Sequence, residues 1–92
     1  MIYGQINRKS KLSELFESHP EIVEVYSTVD FSFNKNPVKL FALLNYRTDA
    51  VSAFESLIDI YGLGSCIYFT TNPLDFMFLG NKIIWRKGVW YV

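Results

Sequence analysis

The 92-residue chain reads as an α+β fold, with two helices on one face of an antiparallel sheet. Three features carry that reading. Ser10–His19 and Val51–Tyr61 repeat apolar residues at the three- and four-residue spacing of amphipathic helices. Ile22–Phe33 and Val38–Arg47 alternate apolar and polar residues on either side of the turn Asn34-Lys35-Asn36-Pro37, as the strands of a hairpin do. Near the C-terminus, Gly80-Asn81 and Lys87-Gly88 punctuate aromatic and β-branched residues with dipeptides that favour tight hairpin turns.

The elements follow in order. Residues 2–6 are short and alternating, and read as a first strand. Ser10 is placed to cap a helix that buries Leu12, Leu15 and Phe16 and leaves Glu14 and Glu17 outside. Pro20 stops it, because proline has no amide hydrogen and disfavours helical backbone in the residue before it. In the hairpin, pairing Phe33 with Val38 puts Val25, Val29, Phe31, Phe33, Val38, Leu40, Ala42, Leu44 and Tyr46 on a core face, with Ser27 among them. Glu24, Tyr26, Thr28, Asp30, Ser32, Lys39, Phe41, Leu43, Asn45 and Arg47 fall on the other face, with Glu24 opposite Arg47 and Tyr26 opposite Asn45. Thr48 or Asp49 caps the second helix, whose stripe is Val51, Phe54, Leu57, Ile58 and Tyr61. Gly62 and Gly64 end it, Ser65–Thr71 is a strand, and Asn72-Pro73 turns the chain. The order β-α-β-β-α-β is that of the ferredoxin-like arrangement, with a β-meander appended, and it hosts many unrelated functions.

In the meander, pairing Leu79 with Lys82 and Arg86 with Val89 aligns Phe76, Trp85 and Trp90 in one row and Phe78, Ile83 and Val92 in the next. That uncharged face is expected to be core. The opposite face gathers Asp75, Met77, Leu79, Lys82, Ile84, Arg86, Val89 and Tyr91, a mixture of Met, Tyr, Arg and aliphatic residues of the kind enriched at protein interfaces.

Composition bounds the class. The length suits a single domain spanning residues 1–92, and half the residues are hydrophobic and 17% aromatic, which suits a dense core. The longest apolar run, Leu40–Leu44, is far short of the ~20 residues of a membrane-spanning helix. The first residues lack the charged-then-apolar order of a signal peptide, and a lone Cys66 forms no internal disulfide. These features lead us to expect a cytoplasmic protein. Net charge is zero, with basic and acidic blocks alternating along the chain, which argues against general polyanion binding.

Little here points to chemistry. A single histidine, His19, and a single cysteine cannot assemble a His/Cys metal site, and we expect no metal and no cofactor. No nucleophile-elbow serine and no glycine-rich phosphate loop is present. Arg8, Lys9 and Ser10 are a weak anion signal at a helix start, and the acidic pair Glu55 and Asp59 points out of a helix rather than into a cleft. An enzyme is therefore not expected. The expected function is a small protein-binding module, of the kind phages or mobile elements encode to inhibit a host defence protein by surface occupancy. Its partner would be another protein or a second copy of this chain, met through Met77, Lys82, Ile84, Arg86 and Tyr91. The rival reading is a single-stranded nucleic-acid platform on the open sheet face, using Tyr26, Lys39, Phe41 and Arg47, although "VKLFALLNY" is not the basic-Gly-aromatic pattern of RNA-recognition motifs. A third reading takes Glu14, Glu17, Glu55 and Asp59 as a mimic of a phosphate track.

Overall fold

The computed structural model describes residues 7–49, 51–76 and 80–92. It is a small α+β arrangement of two helices and a five-stranded mixed sheet. The elements are α1 (Arg8–Glu17), β1 (Ile22–Thr28), β2 (Lys39–Leu44), α2 (Val51–Tyr61), β3 (Cys66–Thr70), a 3-10 turn (Pro73–Phe76), β4 (Asn81–Arg86) and β5 (Val89–Trp90). The expected first strand at residues 2–6 lies outside the described residues.

The sheet runs β3-β2-β1-β4-β5, and β2 and β3 are parallel while the other neighbours are antiparallel. This corrects the expectation of an antiparallel, ferredoxin-like sheet. In that arrangement the first strand would separate the hairpin from the strand after the second helix. Here β3 pairs directly with β2, because α2 carries the chain back across the sheet and so delivers β3 parallel to β2.

Asn7, not Ser10, caps α1: its side-chain oxygen accepts from the Ser10 amide at 3.1 Å. Leu12, Leu15 and Phe16 are buried as expected. The hairpin strands are shorter than their pattern. A turn at Thr28–Phe31 ends β1, where Asp30 bonds the Thr28 hydroxyl and pairs with Lys35. Val29 is thereby turned out to solvent, and Phe31 and Phe33 fold back to cover the end of the core, Phe33 meeting Trp90 edge-on at 4.9 Å. Tyr46, past the end of β2, is exposed rather than core. Tyr26 faces Phe41 and not Asn45, a shift of four residues along β2. An even shift preserves the faces, so Val25, Ser27, Leu40, Ala42 and Leu44 are buried on the helix side as the alternation requires. Glu24, however, pairs with Arg86 at 3.2 Å instead of Arg47.

The C-terminal register is half as expected. Arg86 faces Val89 and Trp85 faces Trp90 across a Lys87-Gly88 turn, both of whose residues take positive φ. Phe76, expected in their row, sits instead in the 3-10 turn and packs on Tyr26 and Phe41 across the other face. A bulge decides the rest. Val25 faces Trp85 but Tyr26 faces Ile83, which leaves Ile84 as the extra residue. Ile84 and Trp85 are therefore both buried in one core cluster with Phe16 and Val25.

Candidate functional site

The expected protein-binding residues do not share a face. Ile84 is fully buried. Lys82 pairs with Ser27 on the helix side, whereas Arg86 pairs with Glu24 on the other. Tyr91 is exposed, and Met77 lies outside the described residues. The bulge at Ile84 is the cause, since one inserted residue exchanges the faces of everything on one side of it.

The expected nucleic-acid residues are partly together. Tyr26 and Phe41 lie on the helix-free face, with exposed Lys39 beside them, while Arg47 is in the loop beyond β2. Phe41 is only 7% exposed, stacked on Tyr68 at 5.3 Å and met by Phe76 at 5.4 Å. Tyr26 donates its hydroxyl to Glu24 at 2.9 Å, and partial burial together with that carboxylate raises its pKa above the ordinary tyrosine value. A base has no open ring face of Phe41 on which to lie.

The cations at the start of α1 are engaged in the fold. Arg8 lies over the Tyr61 ring at 4.6 Å and donates to Asn36 at 2.7 Å, and Lys9 lies over Phe33. Burial pushes the Tyr61 hydroxyl up to about 12, with Arg8 opposing, and that hydroxyl donates to the Phe33 carbonyl at 2.9 Å. At the other end of α1, His19 bridges the helices: its Nδ1 lies 2.9 Å from the Leu15 carbonyl and its Nε2 3.0 Å from the Ser52 hydroxyl. The two helices are thus antiparallel. Among the described residues, no three of His, Cys, Asp and Glu gather to hold a metal ion, and no helix is long and apolar enough to cross a membrane.

What does stand out is α2 and the strand after it. At 3.6 residues per turn, the apolar residues of α2 fill roughly half its circumference: in angular order Ile60, Ala53, Leu57, Tyr61, Phe54, Ile58 and Val51. The fold uses one part of that arc. Ile60 and Ser56 face a groove shared with α1, and Ala53, Leu57 and Tyr61 are buried in the core. The remaining edge, opposite α1, is left to solvent. Val51 is 59% exposed and Phe54 41%, and Leu63 just beyond the helix is 91% exposed. Phe54, Ile58 and Leu63, with Glu55 and Asp59, line a shallow concavity.

That strip overhangs the open edge of the sheet. Helix α1 lies toward β4 and β5, through Phe16 against Trp85 at 5.0 Å and Trp90 at 5.7 Å. Helix α2 packs beside it on β3, so its side away from α1 is the side over β3's outer edge. No described strand lies beyond β3. On its helix-free face β3 presents Tyr68, half-exposed, whose hydroxyl pKa is raised by the neighbouring Cys66.

The sequence pattern located α2 correctly, but a stripe of five residues conceals that half of a helix is apolar. The signal for the strip was arc width, which exceeds what one packing face of a two-layer fold covers. No protein-family model matches this chain, and comparison with curated proteins and with solved structures found no match. The class that fold and surface define is a small two-layer α+β protein with an apolar side that the described residues leave uncovered.

Proposed function

We propose that the chain is a non-catalytic protein-binding module that acts by surface occupancy, and that its binding side is the outer strip of α2 with the adjoining β3 edge. One observation carries this reading: Val51, Phe54 and Leu63 stand exposed together on one side of a helix whose other apolar residues are buried. A contiguous apolar patch of this kind is costly to leave in water and is characteristic of an interaction site. The role we attach to the module is inhibition, with a phage or mobile element as its source and a host defence protein as its target. Such inhibition needs no catalytic group, only a surface that covers another.

The test is capture by tagged protein from a host lysate supplemented with untagged protein of the same sequence. The expected result is a polypeptide retained in stoichiometric amount by the wild type, lost with Phe54→Asp, and kept with Tyr91→Ala. Equal retention by wild type and Phe54→Asp would overturn the assignment of the surface. Salt-sensitive oligonucleotide binding abolished by Tyr68→Ala would replace the reading with the nucleic-acid one.

A further inference from the structure

We propose that the occupant of this side is a second copy of the chain, with β3 pairing antiparallel to its twin across a two-fold axis at Tyr68 and joining the two five-stranded sheets into one. This deepens the protein-binding reading and rests on it.

The backbone determines the register. The Cys66 amide donates to the Val38 carbonyl at 3.0 Å, so the polar backbone groups of Cys66, Tyr68 and Thr70 are directed at β2 in the parallel ladder. Those of Ile67 and Phe69 then point out of the sheet, because successive residues of a strand alternate in direction. An antiparallel neighbour that satisfies both must set Ile67 opposite Phe69 in a hydrogen-bonded pair. Tyr68 falls opposite its own counterpart as the non-hydrogen-bonded pair, with Cα atoms about 4.5 Å apart.

The side chains select the occupant. A two-fold axis at Tyr68 sets that residue against its own copy and every other residue against one of its own strand, so a charge at 68 would meet its like and a charge elsewhere would face a neutral residue. Exposed edges are normally blunted with lysine, proline or inward charges. Cys66-Ile67-Tyr68-Phe69-Thr70 has none of these. Phe69, only partly buried at the rim of the core, would gain Ile67 of the second copy as a cross-strand partner.

The axis stands perpendicular to the sheet, so both α2 helices stay on the same face and meet through Val51, Phe54 and Ile58. Glu55 and Asp59, which line the same concavity, fall on the part of the helix turned away from the sheet, at the rim of that contact. A foreign strand would satisfy the edge and leave the α2 strip bare, whereas a second copy supplies a strand and a matching helix at once. The β5 edges, with Val89 and Tyr91 exposed, become the outer ends of the joined sheet.

Sedimentation of the 92-residue protein over a concentration series tests this. The expected result is a dimer whose dissociation constant rises at least ~10-fold in Tyr68→Lys, through two cations placed at the axis. Far-ultraviolet circular dichroism should be unchanged. Register is read by cross-linking. Oxidised Cys66→Ser/Tyr68→Cys should form a covalent dimer, since the paired Cα atoms are within the ~4.4–6.8 Å of a disulfide. Cys66→Ser/Thr70→Cys should not, its two copies lying more than ~10 Å apart. A monomer at every concentration, a dimer indifferent to Tyr68→Lys, or cross-linking at position 70 in place of 68 would each overturn the proposal. If a foreign chain is captured and lost with Phe54→Asp while the protein sediments as a monomer, self-pairing fails and the protein-binding reading stands. If capture is also indifferent to Phe54→Asp, both fail.

Discussion

Trp85 offers the sharpest test of how this core is held. It is 3% exposed, packs on Phe16 at 5.0 Å and pairs with Val25 and Trp90, yet its indole nitrogen has no hydrogen-bond partner among the described residues. Trp90, beside it, donates to the Ser13 hydroxyl at 2.8 Å. Trp85→Ala removes the whole ring from a packed layer and should cost about 3–5 kcal/mol in lost burial and cavity formation. A chain of this length has only about 5–14 kcal/mol in all, so the variant should be marginal. Trp85→Phe keeps a ring against Phe16 and loses part of the indole, about 1–2 kcal/mol by the methylene scale. It also removes the unpartnered N–H, whose burial costs about 1–3 kcal/mol. The two nearly cancel, so Trp85→Phe should lie within about 1 kcal/mol of wild type by those same terms. Urea denaturation followed by far-ultraviolet circular dichroism, with Trp90 emission as a second probe, measures both. If Trp85→Phe loses as much as Trp85→Ala, ring shape outweighs the orphan donor and the reasoning is refuted.

Three further outcomes follow from the hydrogen bonds and charges. Stability should fall between about pH 10 and pH 12, because the unfolded chain gives up the Tyr61 proton near the ordinary value of 10 while the folded one holds it to about 12. In Tyr61→Phe that loss should be shallower in pH-dependent melts, at a cost of about 0.5–1.5 kcal/mol at neutral pH for the bond to Phe33. Asp30 is held down to about 2 by its hydrogen bond to Lys35 and then by Thr28, so its contribution is present above 3.8 and fades as pH falls toward 2. In Lys35→Ala a carboxyl NMR titration should find its midpoint moved back up toward the ordinary value. Asn7→Ala should cost about 1 kcal/mol in thermal or urea unfolding, and Asn7→Asp should retain most of that, since either side chain can accept from the Ser10 amide.

How far the sequence could be read is itself explained by these particulars. Face assignment in the hairpin survived a four-residue error in register, since alternation depends only on parity. The same rule failed in β4, where the bulge at Ile84 inserts one residue and no glycine or proline announces it. Ile84 and Lys82 were thereby read onto a face they do not occupy. Strand ends at Thr28 and Leu44 were hidden because Val29, Phe31, Phe33 and Tyr46 continue the alternation after the chain has turned. The parallel β2–β3 pair is a matter of where α2 returns the chain, which local pattern does not encode. Cap identity at α1 was missed by three residues because both Asn7 and Ser10 are good cap types.

The unread part of the site has a common physical origin. Helix periodicity shows which residues are apolar and adjacent, but the rotation of the helix on the sheet determines which of them are covered. Helix α2 is rotated so that Ala53, Leu57 and Tyr61 meet the core and Ile60 faces α1. With a half-circumference of apolar surface, that choice leaves Phe54, Ile58 and Val51 facing the far side. Rotating α2 the other way would bury Phe54 and Ile58 but turn Ile60 out of the groove shared with α1 and Ala53 out of the core. The exposed strip is thus tied to the same helix orientation that closes the core. It coincides with the β3 edge of the sheet, where Cys66–Thr70 carries no charge and no proline and no described strand lies beyond it. A monomer would gain solubility from a single lysine in Cys66–Thr70 at little cost to its own packing, since Tyr68 is half-exposed. The absence of such a residue beside an apolar helix strip is what the proposed pairing requires.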